Sequence, residues 1–326
     1  MSFTRIIVFI VAASFGGALF ATAEEPLPEL HGPYFGQPTP EKKAELFAPG
    51  LISVNGRYEY AVSFSPDGEE LLFSAQPPEG RASLHYSRVE GGTWTKPTAV
   101  SLTGGAKKEE MEAFFAPDGR HIYFAPYDEG MDVRIWVVEF GPQGWQNPRE
   151  LGPPVSEDPA FFPTSTQAGA LYYTNLAKRK VYRAELGNGR VETAADAGLE
   201  LGGHAFIAPD ESFVLLDGLP PGQEERDIYV AFRTADGGWT EAANLGPEVN
   251  TEDAETCPSL SSDGQYLFFS RYDEDGAVSN IYWISSSVIH DVRAREAYSC
   301  EEPCQQESLV GPAHLTGADL TMIQRD

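Results

Sequence analysis

The sequence predicts an all-β fold, a single β-propeller of five four-stranded blades, and three observations lead to it. A Pro-Asp-Gly turn motif recurs along the chain, an apolar run follows each copy, and further strand signals complete a unit of about 50 residues. Short strands at regular spacing, separated by turn signals and marked by aromatic residues, are typical of propeller blades.

The turn motif occurs in four similar segments, and a degenerate fifth copy lies between the second and the third. Pro presets the first corner of a type I turn, Asp bonds its own backbone, and Gly takes the left-handed position that completes the hairpin. The four segments are Ser65-Pro66-Asp67-Gly68, Ala116-Pro117-Asp118-Gly119, Ala208-Pro209-Asp210 and Ser261-Ser262-Asp263-Gly264, and the degenerate copy begins at Phe161-Phe162-Pro163.

The rest of each unit also repeats. An apolar run such as Leu71-Leu72-Phe73 predicts a second strand, a run such as Ile135-Trp136-Val137 predicts a third, and a Trp-led segment such as the one at Trp145 predicts a fourth. The last unit has no Trp-led segment, but residues 47–55 (FAPGLISVN) resemble the end of the fourth unit. We therefore expect this N-terminal strand to close the last blade, which removes the free sheet edges.

The chain divides into four predicted segments. Residues 1–23 have the charged start, apolar run and small-residue end (Ala21-Thr22-Ala23) of a signal peptide. The apolar run is shorter than the roughly 20 residues that a membrane span needs, so we expect no transmembrane anchor after cleavage and a periplasmic or secreted protein. Residues 24–45 form an N-terminal extension, 46–298 the propeller and 299–326 a C-terminal tail.

The net charge limits the kinds of partner that the protein can bind. The formal net charge of −26 repels nucleic acids and anionic lipids and favours basic or cationic partners.

The three cysteines are too few for a disulfide scaffold. Cys300 and Cys304 are spaced to close a small loop in an oxidising compartment, which leaves Cys257 as a free core thiol. We expect no metal site at these cysteines, because no His lies nearby at ligand spacing.

The turn segments and the strands that follow them resemble the TolB-type, WD40-like propeller repeat of bacterial envelope and secreted proteins. The stretch from Glu255 to Phe269 is a close match to that repeat, and the resemblance covers roughly residues 47–284. It implies a propeller fold and a location at the bacterial envelope. It is poor evidence of function, because propellers serve as binding modules and as enzymes alike.

Acidic residues concentrate where the connections between blades enter the next blade. Glu59, Glu110 and Glu255 stand at the same offset before their turns, so rotation about the propeller axis is expected to set them in a ring around the channel mouth. With Asp158 and His204 they form our predicted ligand-binding site. Carboxylates suit calcium, which is the one cofactor that we expect here if any is bound. Two alternatives to a ligand-binding role stay open. The glutamates of the ring are kept from repeat duplication and only cap the entry to a strand, and His204 only fills space at the channel entrance.

These observations predict a monomeric binding or interaction module that uses an acidic channel-mouth face, with a protein, basic peptide or carbohydrate as its ligand. The sequence has no HExxH motif, no GxSxG elbow and no phosphate-binding glycine loop, which favours binding over catalysis. The alternative is a channel-centred carbohydrate-active enzyme, either a polysaccharide lyase or a glycan hydrolase. Such an enzyme needs a general base or a metal cluster at the channel mouth.

Overall fold

The computed structural model describes residues 30–128, 130, 132–142, 144–187, 190–220, 222–272 and 278–299. The predicted signal peptide, Cys300, Cys304 and the rest of the predicted tail, and an acidic stretch at 273–277, lie outside the described residues. Among the helices of the described residues, none is long and apolar enough to cross a membrane. The four segment boundaries stay predictions.

The described chain is nearly all β and contains several four-stranded antiparallel sheets, an architecture consistent with a β-propeller. Three sheets have four strands each, and they correspond to the second, third and fourth sequence repeats. Their strands are β7 (Glu109–Phe115), β8 (His121–Tyr127), β9 (Trp136–Gly141) and β10 (Gly144–Glu150); β11 (Ala160–Ser165), β12 (Leu171–Asn175), β13 (Lys180–Gly187) and β14 (Arg190–Asp196); and β15 (Ala205–Ile207), β16 (Phe213–Gly218), β17 (Asp227–Phe232) and β18 (Ala243–Asn244).

The remaining nine strands belong to the first and fifth repeats and form one sheet, which a parallel bridge from Tyr58 to Ser279 joins. Two short 3-10 helices, Pro33–Gly36 and Val155–Glu157, complete the elements before the final helix α1 (Ser287–Ser299). The nine strands are β1 (Glu45–Leu46), β2 (Tyr58–Phe64), β3 (Glu70–Gln76), β4 (Ser83–Glu90), β5 (Thr93–Trp94), β6 (Thr98–Val100), β19 (Glu255–Leu260), β20 (Tyr266–Tyr272) and β21 (Ser279–Ser285).

The first strand of each repeat is its inner strand. These inner strands contact one another in the order β2, β7, β11, β15 and β19, and β19 in turn contacts β2. We call the direction along these neighbouring inner strands the axis. The connections between repeats and the turns between second and third strands lie at one end of this axis, which we call the connection face. The Pro-Asp-Gly turns lie at the other end, which we call the turn face.

The Pro-Asp-Gly turns have the geometry that the sequence predicts. Gly119 has φ of 65°, and the Asp118 carboxylate accepts a hydrogen bond from the backbone N–H of Arg120 at 2.8 Å. The fourth repeat lacks the glycine, and there Glu211 adopts a left-handed φ of 57° instead. The turn is thus kept at the cost of an unfavourable backbone conformation in that repeat.

Four of the inner strands carry a β-bulge with one non-glycine residue in the left-handed region. A bulge bends its strand and redirects one backbone N–H out of its own ladder. At Glu112 the redirected N–H donates to Ser74 Oγ of the previous repeat at 2.7 Å. The four residues and their φ values are Ala61 (54°), Glu112 (55°), Phe162 (49°) and Cys257 (53°).

The N-terminal strand pairs with the last repeat, but it lies earlier than the sequence suggests. Strand β1 is antiparallel to β21, with Glu45 opposite Trp283 and Leu46 opposite Tyr282. Residues 47–55, where we expected the strand, instead contain a turn in which the N–H of Ile52 donates to the carbonyl of Ala48 at 2.9 Å. The turn directs the chain back toward the first repeat, so the pairing strand must precede it.

Helix α1 follows the last strand, and the sequence analysis did not predict it. Its apolar residues Val288, Ile289 and Val292 are buried and pack against a cluster that includes Phe232 and Ile284. The helix therefore covers the outer side of the fourth and fifth repeats.

Phe47, the residue after β1, is an anchor of the N-terminal segment and should be essential for stability. Its side chain is fully buried, with its ring centroid 4.9 Å from that of Phe268 and 5.2 Å from that of Trp283. We predict that Phe47→Ala lowers the free energy of unfolding by about 3–5 kcal/mol, measured by chemical denaturation. The matched control, Phe140→Ala, alters a ring that is 58% exposed and should cost less than about 1 kcal/mol. Equal losses in the two variants would contradict this packing role.

Candidate functional site

The three glutamates of the predicted ring occupy equivalent positions at the start of their inner strands. Glu59 pairs with Ala75, Glu110 with Pro126 and Glu255 with Arg271 in the same register relative to the bulge. Their side chains are buried, however, with exposures of 0%, 4% and 0% respectively.

Each of the three carboxylates bonds to the connection that leads into its own repeat. Glu110 accepts hydrogen bonds from the backbone N–H groups of Leu102 (2.6 Å) and Thr103 (3.1 Å). Glu59 accepts from the N–H of Val54 at 3.0 Å, and Glu255 from the N–H of Thr251 at 3.1 Å. These contacts fasten the inter-repeat connection to the inner strand, which matches the strand-entry alternative stated above.

Arginines also compensate two of these buried charges. Arg57 Nε lies 2.5 Å from Glu59 Oε1, and Arg271 Nε lies 2.7 Å from Glu255 Oε1. Burial nevertheless raises the pKa of Glu59 to about 7 and also raises the pKa of Glu255. Burial is the main cause of the shift in both cases, rather than repulsion within a ring of carboxylates.

Asp158 and His204 do not share the register of these glutamates. Asp158 lies two residues before Ala160, which is the equivalent position in the third repeat. It accepts a hydrogen bond from Asn175 at 3.0 Å and lies 3.4 Å from Lys178 Nζ. His204 directly precedes β15, one residue past the glutamate position, which Gly203 occupies. His204 therefore lies opposite Asp217 and not at the register position of the three glutamates.

His204 is part of a compact polar group at the connection end of the axis, which we call the axial cluster: Glu112, His204, Asp217, Arg226 and Cys257. His204 Nδ1 lies 2.5 Å from Asp217 Oδ2, and His204 Nε2 lies 3.5 Å from Glu112 Oε1. Arg226 Nη1 lies 2.9 Å from Asp217 Oδ1. One donor atom from each of His204, Asp217 and Cys257 lies within 4.8 Å of the others.

The inner strands position these groups. The bulge at Glu112 and Cys257 turns both residues out of their ladders, and their backbones then bond across repeats. The N–H of Cys257 donates to Asp217 Oδ2 at 3.1 Å, and the N–H of Phe162 donates to Glu112 Oε2 at 2.7 Å. The cluster is thus assembled from the second, fourth and fifth repeats, and backbone contacts fix it, including one from Phe162 of the third repeat.

Charges inside the cluster stabilise one another. Burial alone would lower the pKa of His204, but the Asp217 carboxylate raises it well above the ordinary histidine value. Burial alone would raise the pKa of Asp217, but His204 and Arg226 lower it. Each group of the pair therefore favours the charged form of the other. Burial raises the pKa of the Cys257 thiol, which keeps it protonated at neutral pH.

Aromatic side chains surround the axial cluster. Tyr60 and Phe161 are half-buried and pack against Phe162 and Cys257. The ring of Phe161 lies edge-on to that of His204, with centroids 5.2 Å apart. The side chains of His204 and Arg226 keep exposures of 21% and 44%. The cluster therefore presents two nitrogen donors to solvent between aromatic walls, while its carboxylates are buried.

A cavity of about 310 Å³ lies at the turn face, at the opposite end of the axis. Its lining is mainly apolar and includes Phe64, Phe114, Phe206 and Leu260. A much smaller cavity of about 10 Å³, lined partly by Glu112 and Phe162, lies further along the axis. The larger cavity contains none of the charged groups of the axial cluster, and its polar lining consists of serine hydroxyls and the Gln167 amide.

Sequence reasoning found His204 but missed Asp217, Cys257 and Arg226 as its partners. One signal was available. Asp217 directly follows the apolar run 213–216 in β16. It lies at the register position where the other repeats carry small uncharged residues. The small residues at that position are Ser74, Ala125, Thr174 and Ser270. An acid in an apolar second strand indicates a buried partner.

Comparison with protein-family models finds no match, and neither does comparison with curated proteins. Among solved structures, the chain is similar to the putative TolB from Agrobacterium tumefaciens, with 18% identity and a TM-score of 0.47 over 67% of this chain and 72% of that one. It is also similar to TolB from Acinetobacter baumannii, with 17% identity and a TM-score of 0.44 over 70% of this chain and 54% of that one. A gluconolactonase from Xanthomonas campestris matches with 10% identity and a TM-score of 0.44, over 76% and 96% of the two chains.

Solved TolB structures are thus among the matches, as the repeat resemblance predicts. The similarity of the repeats to WD40 repeats stays a prediction. At these identities and TM-scores the likenesses say nothing of function. The fold follows from the strand pairing of the chain itself.

The raised pKa of Glu59 predicts a pH dependence of stability. Folding raises this pKa from an ordinary 4.5 to about 7, so the native state binds more protons than the unfolded state between these values. The contribution of Glu59 is therefore greatest below pH 4.5, declines as the pH rises and is lost by about pH 7. Relative to Glu59→Gln, whose side chain does not titrate, the wild-type free energy of unfolding should fall by about 1–3 kcal/mol between pH 5 and 8. Chemical denaturation across this range measures it, and a difference that is independent of pH would disprove the shift.

Proposed function

We propose that this chain is a periplasmic or secreted binding module, built on a five-bladed propeller that β1 closes, and that its ligand binds at the axial cluster. Closure is supported by the antiparallel pairing of β1 with β21 and by the contact of β19 with β2. In this arrangement the fifth blade combines three strands of the last repeat with the N-terminal strand, so that no repeat is left with an open edge.

One observation carries the proposed site: the fold does not require charge in the layer where the axial cluster lies. His204 and Asp217 face each other across β15 and β16, and the Asp217 N–H donates to the His204 carbonyl at 3.2 Å. The other repeats fill the same cross-strand position with neutral pairs. These are Tyr60 with Ser74, Met111 with Ala125, Phe161 with Thr174, and Thr256 with Ser270. Buried charge is costly and clusters at functional sites, so a charged pair at this cross-strand position in one repeat alone supports a functional role.

The exposed parts of this region define the ligand chemistry. His204 and Arg226 offer N–H donors suited to a carboxylate or a carbonyl oxygen. Half-buried aromatic rings beside them suit aliphatic or planar groups. Exposed acids on the surrounding connections and turns suit basic side chains, and they include Glu79, Glu157, Glu224 and Glu252. A basic peptide segment combines all three features, and we propose it as the ligand.

Calorimetry tests this function with a lysine-rich peptide that has a free carboxyl terminus. We predict binding to the wild-type protein and at least about ten-fold weaker binding to His204→Gln and to Arg226→Gln, because each loses a charged hydrogen-bond donor. Arg120→Gln is the matched control, since Arg120 is an exposed arginine at the turn face, and it should bind as the wild type does.

The predicted glutamate ring is tested in the same experiment. A triple Glu→Gln variant at 59, 110 and 255 should be less stable and yet keep its affinity, because these side chains are buried against the connections. Failure of the peptide to bind, or unchanged affinity in both the His204 and the Arg226 variants, overturns the proposed function. Release of unsaturated products from polyuronate, seen by ultraviolet absorption, would instead support the carbohydrate-active alternative.

A further inference from the structure

The carboxylates of Asp217 and Glu112 flank the ring of His204, and they differ in how many of their hydrogen-bond acceptor positions are already used. Asp217 is fully engaged. Its Oδ1 accepts from the His204 N–H at 3.2 Å and from Arg226 Nη1 at 2.9 Å. Its Oδ2 contacts His204 Nδ1 at 2.5 Å and accepts from the Cys257 N–H at 3.1 Å. With four partners, Asp217 orients the imidazole and has no lone pair left for a further ligand.

Glu112, the second carboxylate, has one oxygen that accepts no short hydrogen bond and could bind an ion. Glu112 Oε2 accepts from the Phe162 N–H at 2.7 Å, whereas Glu112 Oε1 faces His204 Nε2 at 3.5 Å. This separation is long for a charge-assisted hydrogen bond. It matches the roughly 3.3–3.6 Å that separates two ligand atoms when each lies about 2.0–2.2 Å from one tetrahedral ion.

The Cys257 thiol completes a set of three different donors. Cys257 is the free cysteine of the described residues and is buried, and its Sγ lies within 4.8 Å of donor atoms of His204 and Asp217. The Glu112 carboxylate reaches His204 from the second repeat, with Oε1 3.5 Å from Nε2, so an imidazole nitrogen has a thiol sulfur and a carboxylate oxygen beside it, and the three groups come from three different repeats. Nitrogen and sulfur donors select zinc and similar transition metals over calcium or magnesium.

We propose that the axial cluster is a transition-metal site, with zinc as its ion, in which His204 Nε2, Cys257 Sγ and Glu112 Oε1 are the ligands. The ion takes the place of the proton between Nε2 and Oε1. Asp217 acts as a positioning residue: it holds Nδ1–H and thereby points the Nε2 lone pair at the metal, the usual arrangement of a carboxylate behind a metal-bound histidine. Three protein ligands leave one coordination position open toward the connection face.

This site goes beyond the proposed peptide binding, and its test needs no peptide. An ion on His204 Nε2 replaces the N–H that a peptide would use there, which leaves Arg226 as the N–H donor for the peptide. It also differs from the calcium expected at the acidic ring, since the donors are a thiol and an imidazole. The sequence analysis expected no metal at the cysteines, because His204 and Cys257 lie 53 positions apart in the chain. The packing of the neighbouring inner strands β15 and β19 brings them together.

Cobalt substitution tests the site, because cobalt bound to a thiolate gives a charge-transfer band and tetrahedral cobalt gives intense visible bands. The protein called wild type in this experiment and all its variants carry Cys300→Ser and Cys304→Ser, so that Cys257 is the one thiol of the starting protein. We expect one cobalt per chain with the thiolate band, displaced by one zinc. Cys257→Ser, which preserves the shape of the side chain, should abolish the band, and Glu112→Gln should weaken zinc binding at least about ten-fold.

A further variant separates ligand from positioning residue. Asp217→Asn should keep the thiolate band while zinc binding weakens about 10–100-fold, the usual effect of losing the carboxylate behind a metal-bound histidine. Circular dichroism verifies that each variant is folded. If His204→Gln proves unfolded, the wild-type and Cys257→Ser spectra still decide the question. A wild-type protein without the thiolate band, or cobalt binding that Cys257→Ser leaves unchanged, overturns the proposal.

Discussion

Hydrogen bonds between neighbouring repeats at the axis are the constraint on which the rest of this structure depends. The inner strands approach one another so closely that four of them bulge and place a non-glycine residue in the left-handed region. The redirected N–H groups then donate to the preceding repeat, as Glu112 does to Ser74 and Cys257 to Asp217. Such bonds lie in a buried layer where an unpaired N–H is costly, so each repeat fixes the position of the next.

This constraint also explains how charged side chains can be accommodated at the axis. The layer needs an acceptor for each redirected N–H, and a serine hydroxyl meets that need as well as a carboxylate does. Where the fourth repeat has Asp217 instead, the acceptor brings a charge, and His204 and Arg226 compensate it. The candidate site therefore uses the backbone contacts that also hold the repeats together, and only its side chains distinguish it.

The turn chemistry and the repeat spacing predicted the β-sheet architecture because both depend on local sequence. The Asp118 turn shows this, since its bonds lie within three residues. The exact closing strand was harder to predict, because Glu45–Leu46 pairs with residues far along the chain and its own sequence is too short to carry a pattern. The axial cluster could not be read from linear spacing. The exposure of Glu59 was also misjudged, since its position in the repeat does not tell whether a side chain faces solvent or its own connection.

The most direct measurement of the central claim, that the axial charge is there for function and not for folding, is the stability of a double variant. His204→Thr with Asp217→Ser copies the Thr256 and Ser270 pair of the fifth repeat into the fourth and keeps a hydroxyl for the Cys257 N–H. Chemical denaturation should give a free energy of unfolding within about 1 kcal/mol of the parent, because neutral groups often replace buried ion pairs without loss. A loss of more than about 3 kcal/mol would show that the charged pair is needed for folding and would contradict this account.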